Sequence, residues 1–589
     1  MLGLMEAEAI SERTTVGVFA RQAERLADRV ILRHHQDGGW RELKWSDLRD
    51  LVIRVGARLV EEGVGAGDRV ILMSENRVEW LYCDLAIQAS GGVTVPVYPS
   101  TPPKTAQHIA ENSEAVLAIA SDAEMAGKLQ ARGALRKVVT MDDDVKAWAE
   151  DEPRAEAVKE LDARSAGLRP DDLASLCYTS GTTGEPKGVM LAHRNFVDAA
   201  HSCLGAFDLG PDDISLSFLP FSHVLERING IFVGMVAGGS TYLSRGVDRL
   251  AEDIAEVRPT VMVSVPRVYE KMHGLVQQRV AGQPPWIRLL FHWSVGVGRK
   301  HSRTGGARLR FKLADRLVLR PLRERLTGGR LRFFVSGGAP LAREVEEFFW
   351  ASGVKILQGW GMTETSSGAT SNTETAHKFE TVGRALPGVE LKIVEDGEIL
   401  VKSPGNMLGY FRNEAATREV LEDGWVRTGD IGELDEDGFL KITDRKKDLI
   451  KTAGGKYVAP QPLEAKLQED AAIERVVVIG DERPYVTALV VPDWERLKRQ
   501  AGLSGDPEKL VTDPRAVAVV QKRVDALNSE LGSWESIKYF TLLPADFTEE
   551  SGEITPTLKV KRRAIQEHYK ETIDRMYQRE KPQGGRGSH

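Results

Sequence analysis

The chain is poor in cysteine and has no long apolar run, and each absence removes a class of protein. Three cysteines occur in 589 residues (Cys83, Cys177 and Cys203), without a CxxC pair. This argues against a disulfide scaffold and a cysteine-based metal site, and a reducing cytoplasm fits. The longest mainly apolar stretch, GIFVGMVAGGSTYL, is interrupted by glycine and polar residues, short of the roughly 18 apolar residues of a membrane span. The first residues, MLGLMEAEAISERTT, lack the basic start of a secretory leader, so we expect a cytoplasmic protein.

An excess of basic residues is also missing. The formal net charge is −7, which argues against a general nucleic-acid binder. The apolar fraction of 42% and charged fraction of 28% are ordinary for a globular protein. A chain of 589 residues exceeds one hydrophobic core, so several domains are expected.

Short apolar segments alternate with amphipathic ones through the first three quarters of the chain. Predicted strands are VILM (70–73), VTVPV (93–97), VMVSV (261–265) and LRFFV (331–335). Between them lie stretches such as LRDLVIRVGARLVEEG, apolar at helical spacing and closed by Gly63. This alternation predicts α/β layers.

The pattern changes after Pro387. In VELKIVEDGEILVKS, the residues Glu395-Asp396-Gly397 predict a hairpin turn. Further on, ERVVVIGDERPYVTALVVP predicts a second hairpin, and Asp513-Pro514 marks the start of a helix. The tail therefore reads as a small α+β domain, ending in a polar, Gly-rich segment expected to be disordered.

The stretch LCYTSGTTGEPKGVML (176–191) places glycines, hydroxyls and Lys187 between two apolar runs. Backbone N–H groups, hydroxyls and a lysine suit a phosphate chain, although a turn-rich loop without a ligand has the same composition. The stretch is not a Walker A motif, since Lys187 follows Glu185-Pro186 and precedes Gly188.

Six further stretches accompany this loop in a fixed order. They are LPFSHVLER (219–227), SGGAPL (336–341), QGWGMTET (358–365), WVRTGD (425–430), ITDRKKDLIKTAGGKYVAP (442–460) and TPTLKVKRR (555–563). Together they resemble the adenylate-forming superfamily of acyl-CoA synthetases, peptide-synthetase adenylation domains and luciferases, over residues 15 to 575. Within that superfamily, the residues of these motifs are most similar to those of long-chain fatty acyl-CoA synthetases. The stretch RPTVMVSVPRVYEKM (258–272) and the long segment from Gln283 to Arg332 are similar to the same branch.

The resemblance implies an α/β fold of two parts. A large N-terminal adenylation domain (residues 1–443) would contain αβα-layered subdomains and a distorted β-barrel. A small mobile α+β C-terminal domain (444–580) would carry the catalytic lysine, and residues 581–589 would form a disordered tail.

The resemblance also assigns residues to ATP and Mg²⁺. The loop residues Thr179, Ser180, Gly181, Thr182, Thr183, Gly184 and Lys187 would hold the β- and γ-phosphates. Glu364, with Thr179, would hold Mg²⁺, and Thr363 would contact the α-phosphate. The adenine would lie between Gly338-Ala339-Pro340 and Gln358-Gly359-Trp360-Gly361, with Trp360 as a stacking face.

The remaining assignments concern ribose, acyl group and CoA. Asp430 would accept the ribose hydroxyls, Arg445 would support the ribose, and Lys447 and Lys451 would add nucleotide contacts. His223 would lie near the acyl carboxylate. Lys559 would bridge ATP and the carboxylate, by an alignment that places the lysine there rather than at Lys561. Asp444 would be the hinge, and Gly454, Gly455 and Lys456 would line the path of CoA.

Each of these residues taken alone has a simpler interpretation. Asp430 could cap a turn, Glu364 could be a solvated acid and Trp360 could be a core residue. Lys559 could belong to a solvated basic face, and His223 could be a packed histidine. The ordered set of motifs favours the functional interpretation.

The predicted activity is ATP-dependent conversion of long-chain fatty acids to acyl-CoA through acyl-AMP, releasing AMP and pyrophosphate. A fatty acyl-AMP ligase that serves a carrier protein, a ligase for medium-chain or aryl acids, and a nucleotide-binding lipid sensor are the alternatives. The link from Asp430 to Asp444 has no extra hairpin, which favours CoA. The partners would be small molecules, and either a monomer or a homodimer fits.

The segment from Trp286 to Arg332 combines large apolar residues with many Arg and Lys and only two acids, Asp315 and Glu324. This composition fits peripheral contact with the inner face of the cell membrane, and equally a packed helical pair with solvated arginines.

Overall fold

The computed structural model describes residues 13–179, 186–304, 306, 308–470, 472–548, 550–554 and 560–578. These residues divide into two compact units. One is built from the described residues up to 428 together with 434–441, and the other from 429–433 together with the described residues from 442 onward. The predicted tail at 581–589 lies outside the described residues.

The first unit contains two large sheets. One has the spatial order Arg384–Ala385, Thr370–Ser371, Lys355–Trp360, Phe333–Ser336, Val261–Ser264, Ile214–Ser217, Ser240–Leu243, Val30–Gln36 and Gly39–Lys44. The other has the order Gly409–Tyr410, Lys187–Ala192, Leu173–Thr179, Val93–Val97, Arg69–Met73, Leu117–Ala120 and Lys137–Thr140. Their central strands run parallel, as expected where helices connect successive strands.

Smaller sheets follow along the chain. One is ordered Glu390–Ile393, Glu398–Lys402, Trp425–Leu434 and Leu421–Glu422, with Leu440–Arg445 also pairing with Trp425–Leu434. The second unit contains the hairpin Ile450–Lys451 with Tyr457–Val458, and a sheet of Ile473–Ile479, Val486–Pro492 and Ile537–Leu542.

Helices cover the sheets in both units. In the first unit the α-helices are Thr15–Arg25, Trp45–Glu61, Val78–Ala89, Pro103–Asn112, Ala123–Ala126, Lys146–Glu150, Ala155–Gly167, His193–Ala206, Val233–Ala237, Leu250–Val257, Pro266–Ala281, Pro285–Thr304, Arg308–Ala314, Arg320–Thr327, Arg343–Ala351 and Glu414–Val420. π-Helices span Met141–Val145, Leu225–Phe232 and Asp315–Leu319, and 3₁₀ turns span Val247–Arg249 and Thr363–Thr365. In the second unit the helices are Pro460–Gln468, Trp494–Ala501, Pro507–Leu510, Pro514–Asn528, Arg562–His568 and Lys570–Gln578.

Local sequence explains several element boundaries. The helix Pro514–Asn528 begins where predicted, because the Asp513 side chain accepts the N–H of Arg515 and Pro514 has no N–H to satisfy. Both predicted hairpins are confirmed, and Gly397 adopts a φ of 82° in the first turn.

Two predicted strands are shorter than expected. The segment 261–265 ends at Ser264, because Val265 is the N-cap of the helix that starts at Pro266. The segment 331–335 is a strand only from Phe333, which continues to Ser336, and the side chain of Arg332 pairs with Asp213 at 3.0 Å.

Buried apolar residues lie between the layers and hold them together. In the first sheet Met262, Phe334 and Ile356 pack against helix residues including Phe348 and Phe349. Each such side chain contributes about 1.5–3 kcal/mol on burial. The predicted α/β layering is confirmed. Among the described residues no helix is both long enough and apolar enough to span a bilayer.

Candidate active site

Adjacent parallel strands bring two predicted motifs to one sheet edge. Phe333–Ser336 pairs in parallel with Lys355–Trp360, so the loop 338–340 and Trp360 follow the carboxyl ends of neighbouring strands. This edge is where open α/β sheets bind ligands. Gly338, Ala339 and Pro340 are exposed, and Trp360 is half-buried.

Gln358 acts on this edge as a structural brace. Its side-chain Nε2 donates to Glu346 at 2.8 Å, and its Oε1 accepts the N–H of Leu341 at 3.3 Å. The side-chain amide therefore fixes the end of the 338–340 loop against the strand. The predicted contact of Gln358 with adenine would then come from its backbone.

A tight turn carries the chain from Trp360 to the 3₁₀ turn Thr363–Thr365. A Cβ at Gly361 would lie 1.5 Å from the carbonyl oxygen of Ser367, so only glycine fits there. A Cβ at Gly359 would lie 3.0 Å from the carbonyl oxygen of Thr370. Glu364 is only 7% exposed, unlike a solvated surface acid.

Tyr410 is the partner of Glu364 that the motif analysis missed. Its hydroxyl donates to Glu364 Oε1 at 2.7 Å, and the Met407 N–H donates to the Glu364 carbonyl at 2.8 Å. Burial and the neighbouring carboxylate raise the pKa of Tyr410 above its usual value, so the phenol is a donor at neutral pH. The glycine that precedes Tyr410 is the one sequence signal for this position. The structure requires it, because Gly409 has a φ of 141° and a Cβ there would lie 2.7 Å from Thr417.

The same tyrosine contacts the lysine of the predicted phosphate loop. Lys187 Nζ lies 5.1 Å from the centroid of the Tyr410 ring. Lys187 pairs with Thr179 across the antiparallel strands that flank the loop. Ser180, Gly181, Thr182, Thr183 and Gly184 lie outside the described residues. The structure thus brings together Thr179, Lys187, Tyr410 and Glu364.

His223 precedes the π-helix Leu225–Phe232. Its Nδ1 accepts the N–H of Leu225 at 3.1 Å, so the neutral ring carries its hydrogen on Nε2. The carbonyl of His223 also accepts the N–H groups of Glu226 and Arg227, at 3.1 and 3.0 Å. π-Helical turns often occur at functional sites.

Two further contacts attach this π-helix to the predicted nucleotide loops. Asn229 Nδ2 donates to Ser367 Oγ at 3.0 Å, just after Thr363–Thr365. Leu225 lies beneath the loop after Phe333–Ser336, since a Cβ at Gly337 would be 3.3 Å from its Cδ1. The helix that begins beside His223 is therefore fixed to the Glu364 segment.

Glu226 and Arg227 anchor the π-helix on its buried side. Arg227 pairs with Asp84 and donates to Ser175 Oγ at 2.7 Å. Glu226 accepts a hydrogen bond from Ser217, and burial raises its pKa to about 8. Neither anchor was identified from the motifs.

In the second unit, Asp430 and Arg445, the two residues assigned to the ribose, form an ion pair. Arg445 Nε donates to Asp430 Oδ1 at 2.7 Å, and Asp430 is 5% exposed. Asp444 is buried, and this burial raises its pKa to about 7. Asp430 belongs to the segment 429–433, which groups with the second unit.

The remaining predicted positions of the second unit are exposed. They are Lys447, Lys451, Gly454, Gly455 and Lys456. Lys559 lies outside the described residues.

Mg²⁺ suits the chemistry of the first-unit site. Among the described residues no group of three or more His, Cys, Asp or Glu side chains could hold a metal by itself. Glu364 presents one carboxylate, whose Oε1 accepts the hydrogen bond from the Tyr410 hydroxyl. Mg²⁺ commonly takes one or two carboxylates together with phosphate oxygens and water, so these residues fit an ion that arrives with a nucleotide.

Residues 19–411 match the family model of the AMP-binding enzyme, and residues 447–581 match that of the AMP-binding enzyme C-terminal domain. The chain belongs to the AMP-binding enzyme family. The predicted adenylate-forming superfamily is thereby confirmed.

Curated relatives resemble this AMP-binding enzyme over nearly their whole length. The long-chain-fatty-acid--CoA ligase FadD15 of Mycobacterium bovis is 39% identical over 604 residues, covering 97% of this chain and 98% of the relative. The peroxisomal long chain acyl-CoA synthetase 7 of Arabidopsis thaliana is 32% identical, with 95% and 85% covered.

Solved structures share the fold of this AMP-binding enzyme. The anthranilate CoA ligase AuaEII in complex with anthranoyl-AMP matches with a TM-score of 0.73 and 20% identity, covering 95% of this chain and 98% of that one. A Mycobacterium tuberculosis fatty acyl CoA synthetase matches with a TM-score of 0.62 and 22% identity, covering 95% and 99%. The predicted combination of a large N-terminal and a small C-terminal domain is confirmed.

Proposed function

We propose that this enzyme activates long-chain fatty acids with ATP, forming acyl-AMP and pyrophosphate, and transfers the acyl group to CoA. The observation that carries the proposal is the 39% identity, over 97% of the chain, to a relative named as a long-chain-fatty-acid--CoA ligase. The arrangement of Lys187, Tyr410 and Glu364 supports it.

The first step brings a carboxylate to the α-phosphorus of ATP, so two anions must approach each other. Fixed donors and cations lower this barrier because they meet the charge without reorganising. Lys187 and the loop 179–184 would hold the β- and γ-phosphates, with Thr363 at the α-phosphate. Glu364 and Thr179 would hold Mg²⁺, which supplies positive charge at the phosphate oxygens.

The acyl carboxylate is assigned to His223. The Leu225 N–H occupies Nδ1, so the neutral imidazole directs a donor from Nε2. A carboxylate accepts such a hydrogen bond and would be oriented by it. The contact between Asn229 and Ser367 supports this placement, because it ties the histidine's helix to the Mg²⁺ segment.

The remaining nucleotide roles belong to the second unit. Asp430, held by Arg445, would accept the ribose hydroxyls, and Lys559 would neutralise charge between ATP and carboxylate. Transfer to CoA requires Lys559 to leave, so the small domain would rotate about Asp444 between the two half-reactions. Gly454, Gly455 and Lys456 would then flank the CoA path.

The activity is tested by AMP formation with ATP, Mg²⁺ and fatty acids, with and without CoA. CoA-dependent AMP release supports the synthetase. Accumulation of acyl-AMP that CoA does not discharge would favour the fatty acyl-AMP ligase, and binding without pyrophosphate release would favour the lipid sensor.

Peripheral membrane contact belongs to the same proposal, because a fatty acid partitions into bilayers. The helices Pro285–Thr304 and Arg308–Ala314, with Asp315–Leu319, expose large apolar side chains. Their exposed fractions are Trp286 67%, Leu289 73%, Trp293 37%, Leu309 84%, Leu313 52% and Leu317 53%. We call these six residues the amphipathic surface.

The charges around the amphipathic surface fit an anionic bilayer. The acids of the segment are already paired, Asp315 with Arg323 at 3.1 Å and Glu324 with Arg320 at 3.0 Å. The same segments also carry exposed basic residues, namely Arg288, Arg308, Arg310, Lys312 and Arg316. Each such charge near an anionic surface contributes about 1 kcal/mol.

Sedimentation with vesicles tests this contact. The unmodified protein should bind anionic vesicles at low salt, and the double variant Leu309→Glu/Leu313→Glu should not. Equal binding of both proteins would contradict the assignment of the amphipathic surface.

A further inference from the structure

Trp534 is exposed to solvent beside the segment assigned to CoA. Its exposed fraction is 50%, although tryptophan usually buries most of its large surface. Lys456 Nζ lies 5.7 Å from the centroid of the indole. An aromatic face and a mobile cation therefore occur together on the surface of the second unit.

The indole is held from one side by a glycine. A Cβ at Gly532 would lie 2.9 Å from the Cη2 and Cζ2 atoms of Trp534, so the ring rests directly on the backbone there. The Gly532 N–H also donates to the Glu535 carboxylate at 3.4 Å. A ring supported on one face and half exposed offers its other face as a flat platform.

Lys456 is placed by the hairpin Ile450–Lys451 with Tyr457–Val458. The Thr452 N–H donates to the Lys456 carbonyl at 2.9 Å and closes the turn. A Cβ at Gly455 would meet no atom within 4 Å, so the turn borders open space. The pantetheine arm assigned to this glycine turn would thus end next to Lys456 and Trp534.

Energetics favour a nucleotide over the lysine on this platform. An exposed cation–π contact strengthens an interaction roughly two- to fivefold. Stacking of a base on an aromatic side chain strengthens binding roughly five- to 150-fold. A base can therefore displace the ammonium from the ring, and the flexible lysine can then pair with a phosphate.

We propose that Trp534 and Lys456 bind the 3′-phospho-ADP end of CoA. The adenine stacks on the indole, and the Lys456 ammonium pairs with the phosphates. The CoA identity of the ligand rests on the proposed function, whereas the nucleotide site itself can be measured without turnover.

The direct test is calorimetric titration of the full chain with 3′,5′-ADP, the nucleotide end of CoA without its thiol arm. Trp534→Ala should weaken binding roughly tenfold, and Trp534→Phe should retain most of it. Lys456→Ala should weaken binding of 3′,5′-ADP more than that of adenosine. Equal affinity of the unmodified protein and Trp534→Ala would overturn the site, whether or not the protein makes acyl-CoA.

Kinetics supply the second readout. Trp534→Ala should raise the KM for CoA and leave the KM for pantetheine and the rate of ATP–pyrophosphate exchange unchanged. An equal rise for CoA and pantetheine would contradict the site, since pantetheine has no base to stack. Absence of acyl transfer by the unmodified enzyme would refute the proposed function and leave the titration result standing.

Matched variants control for loss of surface area and charge. Tyr457→Ala removes an aromatic side chain that is 60% exposed and whose ring contacts Lys451. Lys522→Ala removes an exposed lysine from the helix Pro514–Asn528. Both should bind 3′,5′-ADP like the unmodified protein, and weakening as large as in Trp534→Ala would refute a local platform.

Discussion

Arg227 Nε donates to Asp84 Oδ2 at 2.9 Å, and the two side chains are only 3% and 8% exposed. The pair joins the π-helix Leu225–Phe232 to the helix Val78–Ala89, 143 residues apart in the chain. Arg227 also donates a hydrogen bond to Ser175, which lies in the strand Leu173–Thr179. This buried pair fixes the helix that begins beside His223.

Breaking this pair on one side should destabilise the protein strongly. Arg227→Met leaves Asp84 charged and buried, which costs about 3–5 kcal/mol in comparable cases. The measurement is the urea midpoint of the first unit's transition. The double variant Asp84→Leu/Arg227→Met should recover much of the loss, because neither charge is then left alone.

A surface pair provides the control for that experiment. Arg418 lies 3.5 Å from Glu414, with both side chains largely exposed, so Arg418→Met should change stability by less than about 0.5 kcal/mol. Similar losses in Arg227→Met and Arg418→Met would contradict the role given to the buried pair.

Glu226 should make stability depend on pH. Its pKa in the folded protein is about 8, against an ordinary 4.5, because burial disfavours its charge. Between these two pH values the Glu226 carboxyl is protonated in the folded protein and ionised in the unfolded chain. The free energy of unfolding therefore falls as pH rises from about 4.5 to 8, and it levels off above that. The slope contributed is about 1.4 kcal/mol per pH unit.

The test compares Glu226→Gln with the unmodified protein by urea denaturation from pH 5 to 9. The advantage of the variant should grow with pH up to about 8. A difference that does not change with pH would mean that Glu226 is ionised in the folded protein.

Tyr410→Phe should impair the adenylation step. It removes the hydroxyl that donates to Glu364 at 2.7 Å while keeping the ring beside Lys187. A hydrogen bond to a charged group contributes about 1.5–3 kcal/mol, so ATP–pyrophosphate exchange should fall roughly ten- to a hundredfold. The Mg²⁺ concentration for half-maximal rate should also shift, because the carboxylate loses its orienting donor.

Tyr82→Phe is the matched control, since Tyr82 is buried in the helix Val78–Ala89, outside the candidate site. If Tyr410→Phe behaves like Tyr82→Phe, the pairing with Glu364 has no part in catalysis.

Some of this site was predictable from the sequence, and some was not. Glycine and hydroxyl residues cluster in the loops 176–191 and 336–341 and around the turn at Gly361. Such local clusters can be recognised in the sequence alone. Tyr410 and the pair of Asp84 and Arg227 are defined by contacts between distant segments. The glycine before Tyr410 is the one local signal for that residue, and the buried pair has none. The π-helix has no sequence signature of its own.

Lys559→Ala should separate the two half-reactions. Acyl-AMP formation from ATP and fatty acid should be lost, because the proposed role of the lysine is to supply charge in that step. Thioester formation from added acyl-AMP should be largely retained. Lys561→Ala is the matched control and also tests the alternative alignment. A folded Lys559→Ala that loses both half-reactions equally would contradict the two-conformation scheme.

The central claim is that fixed cations and donors let a nucleotide and a fatty carboxylate react at the Lys187–Tyr410–Glu364 site. Its most direct test is to incubate the purified protein with Mg²⁺, labelled ATP and carboxylic acids of increasing chain length, and to measure acyl-AMP, pyrophosphate and AMP. The account predicts pyrophosphate release that depends on a long-chain acid, followed by AMP release on addition of CoA. Failure to form an acyl-adenylate with any acid would contradict it.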